Sequence, residues 1–324
     1  MKYRVLVSAL NFLSVVDRYR REFDAQSIEV LTVPVNERLE EDELLRVIDD
    51  IDGVICGDDR FTEKVLLAAH RLKVISKWGT GIDSIDREVA GRQGIRVCNT
   101  MDAFTEPVSD SVLGYLLAFA RRQPWMTVDM RAGRWEKIPG ITLQECTLGV
   151  IGVGNIGKRV IRKSAAFGMK ILGQDIQEIP DDFIRATGMQ VVDKDELLAK
   201  ADFVSLHPDL NATSFHLISD REISLMKPTA VLINTSRGPV VNEQVLITAL
   251  EEKRINGAAL DVFEIEPLPS DSPLRRFENV MLAPHNSNSS PMAWEKVHIN
   301  TMKNLIEGLQ AGRGPESTNP LEVN

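Results

Sequence analysis

Three polar segments of the sequence carry side chains suited to acid–base chemistry, and each follows a short apolar run. Arg237 lies in N-T-S-R-G-P, Glu266 in D-V-F-E-I-E-P and His285 in A-P-H-N. An imidazole titrates near neutral pH, and a guanidinium offers a fork of donors to a carboxylate. Because ligands of open parallel sheets bind beyond the carboxyl ends of the strands, we expect the three loops to converge. The pattern predicts an acid–base site.

A glycine-rich motif, G-x-G-x-x-G, falls at Gly152, Gly154 and Gly157. An apolar run precedes it and a helical pattern follows, as in a dinucleotide-binding turn. In such a turn the first glycine permits the tight bend, the second lets a pyrophosphate approach, and the third allows close helix packing. Asp175 ends the next apolar run and can accept hydrogen bonds from the adenosine ribose. Its charge disfavours a 2′-phosphate, so the motif predicts NAD rather than NADP.

The elements that must position these groups alternate along the chain. Apolar runs such as Tyr3–Ser8 and Gly53–Cys56 alternate with amphipathic helical patterns, and a second block of this kind begins near Thr147. A long amphipathic segment from Thr105 to about Arg122 lies between the blocks and predicts a helix. Strands alternating with helices are typical of parallel sheets. We therefore expect an α/β fold with two Rossmann-like, doubly wound parallel-sheet domains.

Composition excludes several classes of protein. The chain has 324 residues, 43% of them apolar and 26% charged, which is typical of soluble globular proteins and sufficient for two domains. A formal charge of −9 is unlike that of a nucleic-acid-binding protein. No apolar run approaches a membrane span, and the N-terminus does not read as a signal peptide. Three widely spaced cysteines predict a reducing compartment, hence a cytoplasmic protein, and no metal-ligand spacing occurs.

Together and in this order, the motifs resemble those of the D-isomer-specific 2-hydroxyacid dehydrogenases, which include D-3-phosphoglycerate dehydrogenase and glyoxylate/hydroxypyruvate reductase. The resemblance covers nearly the whole chain and includes the G-T-G-I-D segment at residues 79–83. It implies a coenzyme domain inserted into a smaller substrate domain. We then expect residues 101–288 to form the NAD-binding Rossmann domain, and residues 1–100 with 289–324 to form the substrate-binding domain.

The resemblance also implies roles for individual residues. Arg237 would hold the substrate carboxylate and polarise its carbonyl, His285 would exchange the proton, and Glu266 would orient and stabilise the imidazolium. The nicotinamide would exchange the hydride. Besides the glycines and Asp175, further cofactor contacts are expected at Asn155, Ile156, His207, Pro208, Thr235, Ser236 and Asp261. Substrate contacts are expected at Gly79, Thr80 and Gly81.

Two cations of the first domain bear on the choice of substrate. Arg60 and Lys77 are placed to meet a phosphate or a second carboxylate, which favours D-3-phosphoglycerate. A glyoxylate/hydroxypyruvate reductase and a D-lactate-type dehydrogenase are the alternatives. The segment N-S-N-S-S at residues 286–290 departs from the family pattern, as does Asp110, where many members have glutamate. Both departures bear on the substrate more than on the reaction.

Other interpretations and partners follow from the same features. An NAD-sensing, corepressor-like binding protein would retain the catalytic trio, but the chain shows no long disordered extension. Formate dehydrogenase shares the fold, but the pairing of Glu266 with His285 speaks against it. The resemblance implies a homodimer built through the coenzyme domains, and Trp125–Trp135 is a candidate contact arm. We expect no nucleic-acid or membrane partner. Residues 311–324 are expected to form a loose tail, and three histidines to be structural: His70, His216 and His298.

Overall fold

The computed structural model describes residues 2–314, which form two compact units. The first combines residues 2–104 with 290–314, and the second is Thr105–Ser289. The divisions fall after residues 104 and 289, whereas the resemblance placed them after residues 100 and 288. No helix within residues 2–314 has both the length and the apolar character needed to cross a bilayer.

The first unit is built on a five-stranded parallel sheet. Its strands are β1 (Tyr3–Val7), β2 (Ile28–Thr32), β3 (Gly53–Cys56), β4 (Val74–Lys77) and β5 (Arg96–Cys98), in the order β2-β1-β3-β4-β5. Its helices are α1 (Leu10–Leu13), α2 (Arg20–Ala25), α3 (Glu41–Leu45), α4 (Glu63–Ala68), α5 (Arg87–Arg92) and α13 (Pro291–Ala311). A Cβ at Gly308 would lie 2.4 Å from the Val74 side chain, so α13 packs directly on β4.

The second unit is built on a seven-stranded parallel sheet in the order β12-β11-β10-β9-β6-β7-β8. These strands are β6 (Thr147–Ile151), β7 (Lys170–Gln174), β8 (Gln190–Val191), β9 (Phe203–Leu206), β10 (Val231–Asn234), β11 (Gly257–Leu260) and β12 (Val280–Leu282). The helices are α6 (Thr105–Arg121), α7 (Gln123–Arg131), α8 (Asn155–Ala166), α9 (Asp181–Thr187), α10 (Lys194–Lys200), α11 (Asp220–Leu225) and α12 (Glu243–Glu251).

The central strands of the second sheet are buried on both faces. In β10, Leu232 belongs to one apolar cluster, whereas Val231 and Ile233 belong to another. Because successive side chains of a strand point to opposite faces, the two clusters lie on opposite sides of the sheet. Burial on both faces explains why these strands read as continuous apolar runs rather than as alternating patterns. Because the strands themselves are buried, polar side chains begin only at their carboxyl ends.

The predicted fold class, α/β with two doubly wound parallel sheets, is confirmed by these two sheets. The expectation of a loose tail is wrong for residues 311–314. Ala311 ends α13, and the Arg313 guanidinium donates to the carbonyl oxygens of Leu72 at 2.9 Å and Ala69 at 2.6 Å. Those two hydrogen bonds fasten the segment to the first unit. The rest of the predicted tail lies outside the described residues.

Candidate active site

The glycine-rich turn joins β6 to α8 in the form that its sequence predicts. Gly152 has a φ of +88°, and a Cβ there would lie 2.6 Å from main-chain atoms of His207 and Pro208. A Cβ at Gly157 would lie 2.1 Å from the Gly152 carbonyl oxygen, so α8 packs on the turn itself. At Gly154, no heavy atom of the described chain lies within 4 Å of the Cβ position. The turn is therefore closed at its base and open where a pyrophosphate would approach.

The first turn of α8 completes this end of the site. Asn155 and Ile156 are its first two residues, directly after Gly154. The N–H groups at the start of a helix have no partner within the helix, and the helix dipole adds partial positive charge there. This end of α8 therefore suits the phosphates of a dinucleotide.

Asp175 follows β7, and its carboxylate is tied to the same turn. One carboxylate oxygen accepts a hydrogen bond from the Val153 N–H, and the other accepts from the Gln177 N–H at 2.9 Å. The residue is half-buried. Each carboxylate oxygen keeps a second lone pair, so ribose hydroxyls can still donate to it. A fixed negative charge at this position suits NAD and opposes an additional phosphate.

His207 follows β9 and contributes its main chain to the turn. Its Nε2 lies 2.8 Å from the Ser205 hydroxyl, and burial lowers the pKa of the imidazole to about 3. The ring is therefore neutral at physiological pH. A neutral ring cannot donate a proton as an imidazolium, and the assignment of His207 to the cofactor site stays a prediction.

Arg237 lies in the turn after β10, and the buried Asn234 shapes that turn. The Asn234 amide nitrogen donates to the Arg237 carbonyl oxygen at 2.9 Å, and its amide oxygen accepts from the Ser236 N–H at 3.1 Å and hydroxyl at 2.8 Å. The Arg237 guanidinium donates to the Ser236 carbonyl oxygen at 2.9 Å. Asn234 is a functional residue that the motifs do not reveal. The available signal was its place as the first polar residue after a buried strand.

Gly238 joins the arginine turn to the loop that carries Glu266. A Cβ at this position would lie 1.9 Å from the carbonyl carbon of Phe263 and 2.5 Å from the nitrogen of Glu264. The main chains of the two loops therefore touch, and only glycine fits between them. The S-R-G and D-V-F-x-x-E-P motifs form one packed unit.

Glu266 and His285 form a hydrogen-bonded pair. His285 Nδ1 lies 3.0 Å from one Glu266 oxygen, and the other oxygen accepts from the Phe263 N–H at 2.9 Å. Both side chains are mostly buried. A carboxylate on Nδ1 fixes the orientation of the ring and stabilises its protonated form. The peptide bond between Glu266 and Pro267 is cis.

Asp261 fixes the segment that carries His285. The Asp261 carbonyl oxygen accepts from the His285 N–H at 2.8 Å, and its two carboxylate oxygens accept from the N–H groups of Asn286 at 2.8 Å and Ser287 at 2.9 Å. The residue is 1% exposed. His285 has a φ of +49°, which few non-glycine residues adopt. The residues after His285 depart from the family pattern, but the bonds to Asp261 use only their main chain.

One buried hydroxyl at this edge, Thr235 Oγ1, has no hydrogen-bond partner within residues 2–314. Thr235 follows Asn234 at the end of β10. Buried polar atoms without partners are rare in folded proteins and require an explanation. The Thr235 hydroxyl, the open glycine turn and the Asp175 carboxylate follow β10, β6 and β7 at one edge of the sheet, and together they give a set of polar groups that fits NAD. No group of side chains within residues 2–314 is arranged to bind a metal ion.

The predicted substrate loop lies in the first unit, after β4. Gly79 has a φ of +133°, and its carbonyl oxygen accepts from the Thr100 N–H at 2.8 Å. The Thr80 hydroxyl donates to the Thr100 carbonyl oxygen at 3.2 Å. Trp78, just before the loop, donates through Nε1 to His298 Nδ1 at 2.9 Å. His298 thus has the structural role that we expected of it.

The two cations proposed for the substrate differ in their surroundings. Lys77 is 3% exposed, and its ammonium group donates to the Gly57 carbonyl oxygen at 2.6 Å and to the Asp58 carboxylate. Arg60 is half-buried, and its guanidinium forms no ion pair with the described residues. The neighbouring Phe61 bridges Ile85, which follows the glycine loop. Lys77 therefore has a partner within the first unit, and the assignment of Arg60 to an anionic group of the substrate stays a prediction.

Known proteins resemble this chain over most of its length. A model of the family described as "D-isomer specific 2-hydroxyacid dehydrogenase, NAD binding domain" matches residues 113–287. The chain is 39% identical to a glyoxylate reductase of Thermofilum pendens, over 86% of this chain and 84% of that protein. It is 41% identical to a D-3-phosphoglycerate dehydrogenase of Methanocaldococcus jannaschii, over 82% of this chain but 51% of that protein.

A solved structure shows the same architecture. The D-lactate dehydrogenase of Aquifex aeolicus, crystallised with NAD and lactic acid, superposes with a TM-score of 0.84 at 25% identity. The superposition covers 97% of this chain and all of that one.

Proposed function

We propose that this chain, which belongs to the D-isomer-specific 2-hydroxyacid dehydrogenase family, interconverts a small anionic 2-oxo acid and its D-2-hydroxy acid. Arg237, Glu266 and His285 would be the catalytic residues. The chain is an NAD-dependent oxidoreductase that acts on the CH–OH group of hydroxy acids. The observation that carries the residue assignment is the 3.0 Å contact between Glu266 and His285 Nδ1, at the sheet edge that also bears the glycine turn.

The cofactor would be held by the residues around that turn. The open position at Gly154 and the start of α8 would receive the pyrophosphate, and Asp175 would bind the adenosine ribose. When bound, NAD supplies or accepts the hydride. The remaining proposed contacts line the same sheet edge: Asn155, Ile156, His207, Pro208, Thr235, Ser236 and Asp261.

The proton would move at His285. Its Nδ1 is engaged by Glu266, so Nε2 is the ring nitrogen that would give a proton to the carbonyl oxygen during reduction and take it back during oxidation. Glu266 stabilises the imidazolium between these events. Arg237 would bind the substrate carboxylate through two parallel hydrogen bonds and polarise the reacting carbonyl. Gly79, Thr80 and Gly81 are proposed as further substrate contacts.

The finer choice of substrate rests on Arg60. A half-buried guanidinium that forms no ion pair with the described residues suits a second anionic group, which favours a phosphorylated acid such as D-3-phosphoglycerate. Smaller acids are the alternative substrates, because relatives of this chain are named glyoxylate reductase and hydroxypyruvate reductase.

A substrate panel tests the activity and its specificity together. NADH consumption would be followed with phosphohydroxypyruvate, hydroxypyruvate, glyoxylate, pyruvate and 2-oxoglutarate. We expect saturable turnover, highest with phosphohydroxypyruvate, and a KM for that acid raised by Arg60→Ala but not by substitution of the exposed Arg46. A preference for glyoxylate that is indifferent to Arg60 would contradict the phosphate assignment. Tight NADH binding without turnover of any acid would contradict the dehydrogenase assignment.

We also propose a homodimer in the cytoplasm. None of the residues of α7 is buried, and large apolar side chains in and after it are exposed, with Trp135 at 81%. Exposed apolar patches of this kind mark interaction surfaces. Trp125 instead packs against Phe119, so the proposed arm narrows to residues 128–135. Light scattering should give the mass of a dimer for the wild type and of a monomer after charge substitutions at Val128 and Trp135; a wild-type monomer would contradict the proposal.

A further inference from the structure

A second histidine–glutamate pair joins the segment after β9 to the loop that carries Glu266. His216 Nε2 is 2.8 Å from an oxygen of Glu264, two residues before Glu266. His216 Nδ1 lies 3.3 Å from the amide nitrogen of Asn242, whose amide oxygen accepts from the Val245 N–H at 3.1 Å. Because the amide nitrogen can only donate, Nδ1 accepts and the proton sits on Nε2, which donates to Glu264. Both ring nitrogens of His216 therefore have a partner.

Glu264 is also tied to the start of α12. Its carboxylate accepts from the Glu243 N–H at 3.1 Å, and the Glu243 carboxylate accepts from the Glu264 N–H at 3.1 Å. This reciprocal pair of bonds joins the loop to the helix from both sides. We call His216, Asn242, Glu243 and Glu264 the loop anchor.

The loop anchor is itself fixed to the segment that follows Arg237. The His216 N–H donates to the Pro239 carbonyl oxygen at 2.8 Å, and Ile218 bridges Val241. His216 has a φ of +49°, and its ring stacks on Phe215 with centroids 4.0 Å apart. A residue kept in this uncommon conformation is held by its surroundings. The position of its ring is therefore well defined.

Three carboxylates lie close together at this loop. Glu264 and Glu266 lie on one short loop, and Glu243 faces both of them; its pKa is raised by burial and by their two charges. Other charged side chains at the ends of the neighbouring strands are Arg237 after β10 and Asp261 after β11. Either loop carboxylate has the chemistry to pair with His285. The bonds from His216 and Glu243 occupy Glu264 and leave Glu266 to His285.

We propose that the loop anchor positions Glu266 on His285, with His216 and Glu264 acting as positioning residues for proton transfer. This inference rests on the proposed function. The anchor would act on Glu266 through the main chain of the loop. Gly238 packs against the same main chain at Phe263 and Glu264. Loosening it would weaken the contact between Glu266 and His285 without touching the glycine turn.

Replacement of His216 by two different amides tests the roles of its two ring nitrogens separately. His216→Gln can place a donor near the position of Nε2, whereas His216→Asn reaches only as far as Nδ1. Asparagine tolerates a positive φ, so His216→Asn avoids backbone strain as a second cause of any defect. Neither amide titrates. The pair therefore tests the contact with Glu264 separately from charge and from folding.

The expected results follow from the stabilisation of the imidazolium. A looser Glu266 lowers the pKa of His285, and reduction needs protonated His285, so the fall of kcat/KM with rising pH should begin at lower pH. For His216→Asn we expect the midpoint of the pH dependence of kcat/KM to move down by about 0.5 pH unit. We expect kcat at pH 7.5 to fall about 3- to 10-fold and the Kd for NADH to stay unchanged. His216→Gln and Glu264→Gln, which keep the donor and the acceptor, should stay within about twofold of the wild type.

A direct titration keeps the inference independent of turnover. NMR of labelled histidine would report the pKa of His285 in the wild type, His216→Asn and His216→Gln. A pKa of His285 that is lowered in His216→Asn but not in His216→Gln would support the role of the loop anchor. Unchanged values in both variants, even with a reduced Tm, or equal shifts in both, would overturn it. If the wild type reduces no 2-oxo acid, the proposed function fails while the titration still decides the anchor.

Discussion

Asp261 holds His285 in its left-handed backbone conformation. The Asp261 carbonyl oxygen accepts from the His285 N–H at 2.8 Å, and its carboxylate accepts from the N–H groups of the next two residues. Three bonds from one buried residue to three consecutive residues outweigh the cost of a positive φ at His285. The imidazole is therefore placed by its main chain as well as by Glu266.

Replacement of Asp261 by asparagine should test this relationship. Asp261→Asn replaces one acceptor oxygen by an amide nitrogen that faces a main-chain donor. We expect a loss of about 1–3 kcal/mol in the free energy of unfolding together with a fall in kcat. Urea denaturation and steady-state kinetics would measure the two effects. Unchanged stability would mean that the carboxylate bond lost in the variant contributes nothing to folding.

His285→Ala should abolish most turnover. Loss of a general acid typically costs about 10²- to 10⁴-fold in rate, so we expect kcat to fall in that range. NADH binding, measured by fluorescence titration, should stay close to that of the wild type because the glycine turn is untouched. The matched control is His70→Ala, which removes an exposed histidine bonded to Asp49. Near-normal turnover of His285→Ala would remove His285 from the proton transfer.

Two glycine-to-alanine substitutions should have opposite consequences. A Cβ at Gly154 meets no described atom within 4 Å, so Gly154→Ala should fold normally and lose affinity for NADH. A Cβ at Gly238 would overlap the main chain of Phe263, so Gly238→Ala should lower the free energy of unfolding by about 1–3 kcal/mol or more. Thermal denaturation and NADH titration of both variants would check this. A destabilised Gly154→Ala with intact NADH affinity would contradict the assignment of the turn.

Asp175→Asn should relax the discrimination against NADPH. The substitution removes the negative charge that opposes a 2′-phosphate. We expect the ratio of kcat/KM for NADH to that for NADPH to fall about tenfold, which corresponds to about 1.4 kcal/mol. Substitution of the exposed Asp181 is the matched control. An unchanged ratio would count against Asp175 as the ribose ligand.

The imidazole of His207 should make the protein less stable in mild acid. Its pKa is lowered by burial to about 3, so below about pH 6.5 the unfolded chain takes up a proton that the native chain does not. Stability is therefore lost as the pH falls from about 6.5 towards 3, by at most about 2 kcal/mol at pH 5. His207→Gln should remove this part of the loss. Urea denaturation at pH 7 and pH 5 would show it, and an equal loss in both proteins would refute it.

Local patterns predicted the elements best where a strand is buried or a helix is long. The apolar run Gly53–Cys56 coincides with β3, and the amphipathic segment from Thr105 to about Arg122 is α6. The helical pattern at Phe12–Phe23 is instead α1, a 3-10 turn at Val16–Tyr19, and α2. There the ring of Phe12 lies 5.2 Å from that of Tyr19 and 5.7 Å from that of His298 on α13. Such a contact depends on tertiary packing that periodicity does not contain.

Side-chain partners were harder to foresee than positions. The loops bearing Arg237, Glu266 and His285 were placed at strand ends because polar residues follow buried runs. The ion pair of Lys77 with Asp58 was not foreseen, since it depends on the pairing of β3 with β4. The role of Asn234 was also missed, because a turn-shaping amide looks like any other polar residue in a sequence.

The close contact at Gly238 limits how this enzyme can be redesigned. Because the arginine turn and the glutamate loop share one main-chain interface, neither can be exchanged for that of a relative without its counterpart. A chimaera should be cut so that both segments come from one parent. The two sequence motifs meet where Gly238 contacts Phe263 and Glu264, so we expect them to be inherited together.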